Sequence, residues 1–209
     1  MSPTSSEVVQ STSQTNAKLR RLWYNMRQMN DKLKFTFKAW PVIAAATIGL
    51  CFLTQGVAKL FGIDLPDQQN IEVVRSWLTH AFESLRYFLN CALLLAQVLI
   101  ILPAIEEFVF RWLLFMLPVR RIERRTARIA LLVISSVLFS AAHYLAQPFP
   151  DAAFIALFFF GIAQCWLYMK TDRVWCPMLN HALFNLTNLV LMFVVPEGQE
   201  AAAIFTCGS

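Results

Sequence analysis

No charged residue occurs from Phe88 to Ile105, and none from Trp112 to Val119. Uninterrupted apolar runs of this kind are what a bilayer core demands of a spanning helix. Further runs lie at roughly 39–62, 127–146, 152–169 and 174–195. In lipid every backbone polar group must be satisfied within the segment, so these runs predict helices. The 209 residues are 57% hydrophobic and 15% charged. That balance excludes a soluble domain. The predicted fold is all-α: a polytopic helical membrane protein with about five membrane crossings plus interfacial amphipathic helices.

The polar residues outside these runs divide the rest of the chain. Residues 1–16, rich in Ser, Thr and Gln, read as a disordered tail. Residues 17–38 carry Lys18, Arg20, Arg21, Arg27, Lys32, Lys34 and Lys38, with Leu19, Leu22, Trp23, Met26 and Met29 at helical spacing. They read as a basic amphipathic interfacial segment on the bilayer, with a solvated linker as the alternative. Residues 39–195 form the membrane domain and 196–209 a polar tail. Residues 72–87 are amphipathic and read as a second interfacial helix. The net charge of +5 points to no nucleic acid, because the basic residues flank apolar runs, where they set topology. The five cysteines show no C-x-x-C pair, so no disulfide framework and no cysteine metal site are expected. Cys207-Gly208-Ser209 falls one residue short of a prenylation box. No cleavable signal peptide is expected; the first membrane helix would serve as targeting signal.

The positive-inside rule orients the chain. Arg120, Arg121, Arg124, Arg125 and Arg128 follow the 88–119 segment, and Lys170 and Arg173 flank the last short turn. Both belong inside. The acidic loop at 63–72, the turn from Gln147 to Asp151 and the tail with Glu197 and Glu200 belong outside. The N-terminus is then cytoplasmic and the C-terminus external, in a bacterial inner membrane by size and short form. A straight helix over 88–119 would be about 48 Å long against a core of ~30 Å, so it must kink at Pro103 or be two helices meeting there.

Glu106-Glu107-x-x-x-Arg111 interrupts this apolar setting, and His143 and His181-x-x-x-Asn185 interrupt later segments. An ionisable residue at membrane depth costs roughly 2.5–3.5 kcal/mol on insertion scales, so it stays only where paired or at work. Glu107 and Arg111 share a helix face and can pair. Glu106, turned about 100° away, has no local partner and is the candidate general base. Counted from the inside end, Glu106 and His143 lie roughly 20–22 Å deep, His181 and Asn185 roughly 12–18 Å. A glutamate and a histidine can deprotonate a water; a histidine and an amide can donate to an oxyanion. Zinc held by Glu106, His143 and His181 stays open, since H-E-x-x-H is absent and the spacing decides nothing. Each motif alone also fits an ion pair or polar glue between helices. Asn188, Gln97 and Gln164 read as glue, and His80 as interfacial.

The ordered set Pro103-Ala-Ile-Glu106-Glu107-Phe-Val-Phe110-Arg111, Phe139-Ser-Ala-Ala-His143 and His181-Ala-Leu-Phe-Asn185 resembles the CPBP family, the CAAX-type prenyl-protein proteases and bacteriocin-processing proteins. The likeness covers about 100–192, and Gly161 stands where that family often has a glycine. It implies an intramembrane endopeptidase in which Glu106 and His143 activate water. His181 and Asn185 would stabilise the oxyanion, and Glu107 and Arg111 would support the site. No cofactor follows firmly, since the family has been described both as metallo and as glutamate-dependent. Trp112 departs from the glycine common after the arginine. The implied partner is a peptide or protein substrate at or in the membrane; the charge reading makes it an exported or membrane-anchored segment cut near the external face. Two other readings compete: a non-catalytic immunity or scaffold protein, and a transporter using the buried polar residues as a relay.

Overall fold

The computed structural model describes residues 5–63, 76–146 and 153–194. Among the described residues five helices are long and apolar enough to cross a membrane. They are α1 (Ser5–Leu60), α2 (Leu85–Val119), α3 (Arg125–Ala146), α4 (Ala153–Thr171) and α5 (Trp175–Val194). No strand occurs among the described residues. The outer loop, the turn before α4 and the C-terminal tail, including Glu197, Glu200 and Cys207, lie outside them.

From Ser5 on, the segments read as tail, basic surface helix and first membrane helix belong to one continuous helix, α1, with Pro41 inside it; residues 1–4 of the tail lie outside the described residues. The amphipathic stretch before α2 is not one helix. A helical turn at 76–79 gives way to turns, and α2 starts afresh at Leu85. Ser84 is the reason: its extended backbone and its hydroxyl, which accepts from the Tyr87 N–H, cap the new helix.

Helix α2 neither breaks nor sharply ends at Pro103. It runs through two π-helical stretches, Gln97–Ile101 and Glu107–Met116. Each ends two residues before a proline, Pro103 and Pro118. A proline has no N–H to donate, and its ring crowds the carbonyl four residues back. The preceding turn widens instead, so the N–H of Leu102 reaches Gln97 and that of Leu117 reaches Trp112. Such widened turns are rare and concentrate at functional sites.

The core forms where α1, α3, α4 and α5 meet: Ala39, Ile43, Ala44 and Cys51 pack with Phe139, Ala156, Phe160 and Phe184. A second cluster joins Phe115, Met116 and Val119 of α2 to Cys165 and Tyr168 of α4. Gly161 sets how closely α3 and α4 approach. A Cβ there would lie 3.0 Å from the Ser136 Cβ and 3.1 Å from its Cα. Backbone cannot yield as a side-chain tip can, so Gly161→Ala is expected to cost about 1–3 kcal/mol, read as a lower unfolding temperature in detergent. At the end of the bundle, Arg120 donates to Asp172 at 2.8 Å. That hydrogen bond holds the guanidinium above its ordinary pKa. It also puts the arginine turn and the α4–α5 turn at one end, as the charge pattern requires. Cys91, Cys165 and Cys176 are buried free thiols.

Candidate active site

Packing brings five of the six polar residues of the three motifs together, Glu106, Glu107, Arg111, His143 and His181, while Asn185 bonds to the Val98 carbonyl. The Glu106 Oε2 lies 3.8 Å from the His143 Nε2 and 3.7 Å from the His181 Nε2. The side chain of Glu106 keeps 22% of its exposure, against 12% for His143 and 6% for His181. Depth counting allows these residues to converge near the bilayer midplane, and Glu106, His143 and His181 do meet.

Both imidazoles are oriented from behind. The His143 Nδ1 lies 2.9 Å from the Phe139 carbonyl, which can only accept, so Nδ1 carries the proton. The His181 Nδ1 lies 2.9 Å from the Glu107 Oε1, which assigns its proton in the same way. In each neutral ring Nε2 is then a bare acceptor turned toward Glu106. Aromatic walls fix the ring planes: Phe160 and Phe139 meet His181 edge-on at 5.1 and 5.9 Å.

Glu107 and Arg111 are fully buried, and the Arg111 Nε lies 3.0 Å from the Glu107 Oε2. The approach is off the N–H direction, so the contact is an ion pair rather than a hydrogen bond. The guanidinium carbon sits 4.1 Å from the centre of the Phe139 ring, whose π face takes up part of the charge. The Nη atoms have no hydrogen-bond partner among the described residues.

The widened turns of α2 serve as docking points. The Asn185 Nδ2 donates to the Val98 carbonyl at 2.9 Å, and the Ser135 hydroxyl donates to the Phe110 carbonyl at 2.6 Å. Each carbonyl belongs to a π-helical stretch, where the wider turn presents it sideways to α5 or α3. Asn185 therefore has one amide N–H committed to the scaffold and one remaining. Asn185→Ala is expected to cost about 1 kcal/mol of stability for the lost bond. The same change should lower turnover more than affinity, which separate kcat and KM measurements would show.

Three residues important to this arrangement carried no chemistry in the sequence reading: Ser135, Val98 and the Phe139 ring. Phe139 was visible only as part of a motif. Trp112, at the position where a glycine is common, stacks on Phe108 at 4.8 Å. Gln164 donates to Asn180 at 3.1 Å, which is the glue expected of it. Asn188 is buried, without a side-chain hydrogen bond among the described residues. His80 pairs with Glu83 outside the site. Among the described residues no group of three or more His, Cys, Asp or Glu side chains is arranged to hold a metal ion.

A helical bundle that spans the membrane and gathers two histidines and two glutamates in its interior defines an integral membrane protein with a buried polar centre. The family model for type II CAAX prenyl endopeptidase Rce1-like proteins matches residues 73–187, more than half of the chain, and the chain belongs to that family. It is a membrane protease by that membership. No curated protein and no solved structure matches it.

Proposed function

We propose that the chain hydrolyses a peptide bond of a membrane-associated or exported substrate with water activated by Glu106 and His143. The observation that carries this reading is the Glu106 carboxylate facing two imidazole nitrogens at 3.7 and 3.8 Å. Those separations exceed a direct hydrogen bond, and a water can reach Oε2 and an Nε2 together. Glu106 takes the water's proton as its oxygen bonds to the scissile carbonyl carbon. The proton then passes to the amide nitrogen as the C–N bond breaks.

The tautomer of His181 constrains its role. With Nδ1–H given to Glu107, a neutral ring cannot donate from Nε2. His181 becomes a donor to the oxyanion once it shares the proton that Glu106 receives, and the remaining Asn185 N–H supplies the second bond. Glu107 and Arg111 hold that ring and do not touch the substrate. No step requires a metal. Treatment with EDTA or phenanthroline is therefore expected to leave turnover in proteoliposomes unchanged; loss that added zinc restores would overturn the water-only scheme.

The site lies toward the His143 end of α3, away from the arginine turn. With that turn cytoplasmic, the bond is cut in the outer half of the bilayer of a bacterial inner membrane. A reporter fused after Ser209 is expected to be active externally; activity only in the cytoplasm would overturn this side of cleavage. The reading is tested by reconstituting the purified chain with prenylated and unprenylated membrane-anchored peptides and reading the products by mass. Cleavage of an anchored peptide supports it, and an intact peptide in every case contradicts it.

A further inference from the structure

Helix α1 is longer than a bilayer needs. From Trp23 to Leu60 alone it has 38 residues, about 57 Å at 1.5 Å per residue against a core of ~30 Å. Packing shows where the surplus lies. Phe35 meets Trp166, near the Thr171 end of α4, with ring centroids 5.6 Å apart. Residues before it leave the bundle at the end that carries Arg120 and Asp172. There Trp23, Tyr24, Met26 and Met29 are exposed, Trp23 by 71%.

Their pattern is not that of a solvated extension. At about 100° per residue, Leu19, Leu22, Trp23, Met26 and Met29 fall in one arc about 120° wide, while Lys18, Arg20, Arg21 and Arg27 fall outside it. No acidic residue occurs from Lys18 to Asn30. The same end of the bundle carries Arg120, Arg121, Arg124, Arg125, Arg128 and Lys170. A second copy of so basic a helix would be repelled. An apolar arc flanked by cations beside the membrane complements anionic headgroups over acyl chains.

We propose that residues 18–30 form a surface anchor: where α1 leaves the bundle it bends over the membrane, and this segment inserts its apolar arc into an anionic lipid leaflet. Each basic residue near such a leaflet contributes roughly fivefold to partitioning, so headgroup charge governs the binding.

The test uses the full chain in nanodiscs of phosphatidylcholine, with or without phosphatidylglycerol, carrying brominated acyl chains as quencher. The emission of Trp23 is isolated as the difference between the native chain and Trp23→Phe. The expected result is strong quenching in the phosphatidylglycerol discs, weak quenching in phosphatidylcholine alone, and loss of quenching in an Arg20→Glu, Arg21→Glu, Arg27→Glu variant of unchanged helicity. The native chain is decisive by itself, should that variant fail to fold. Equal quenching in both discs overturns recognition of the anionic charge. Absence of quenching overturns the anchor; concentration-dependent cross-linking would then assign the arc to a second copy, and its absence to another protein.

Discussion

Glu106→Gln is expected to abolish proteolysis while the bundle stays folded. A general base contributes typically 10²–10⁴-fold, so turnover should fall by about that factor. Stability should change little, because Glu106 is partly exposed and belongs to no close ion pair: its histidine contacts are at 3.7 and 3.8 Å. Glutamine keeps the shape and loses only the ability to take a proton at Oε2. Matched kinetics and thermal unfolding of the purified variant check both halves. A variant that unfolds early would mean that Glu106 is structural, and one that retains turnover would move the base to a histidine.

The second large effect falls on stability. Arg111→Leu leaves the fully buried Glu107 without its cation. Breaking a buried pair by removing one partner costs about 3–5 kcal/mol, because the other charge stays behind unpaired. Glu107→Gln added to Arg111→Leu should recover most of that loss, since the orphaned charge is gone. Activity should not recover, because Gln in place of Glu107 no longer fixes the proton of His181 as a carboxylate does. Unfolding of the single and double variants measures the first effect, and their turnover the second. Additive stability losses would contradict the assignment of Glu107 and Arg111 as one unit.

Much of this site is legible in the chain because its signals are local. Charges inside apolar runs are conspicuous, and a spacing of four rightly pairs Glu107 with Arg111. The arginines at 120–128 rightly put two turns at one end, as Arg120 and Asp172 show. What escapes is contact across helices. Nothing near Glu107 announces His181 as its second partner, since their meeting depends on how α5 packs on α2. The widened turns escape for another reason. A proline reads as a kink, and only the backbone shows that α2 absorbs Pro103 and Pro118 by reaching back five residues instead of four. That choice exposes the Val98 and Phe110 carbonyls, so the roles of Asn185 and Ser135 follow from it. Ser84 is a plainer case: a helix-capping serine within an amphipathic stretch divides it into two elements.

The central claim is that the Glu106–His143–His181 cluster cuts peptide bonds in or at the membrane. Its most direct test compares protein termini in cells carrying the native chain and Glu106→Gln at equal membrane levels. New termini in membrane-associated or exported proteins that vanish in the variant are expected. Identical profiles from the two would contradict it.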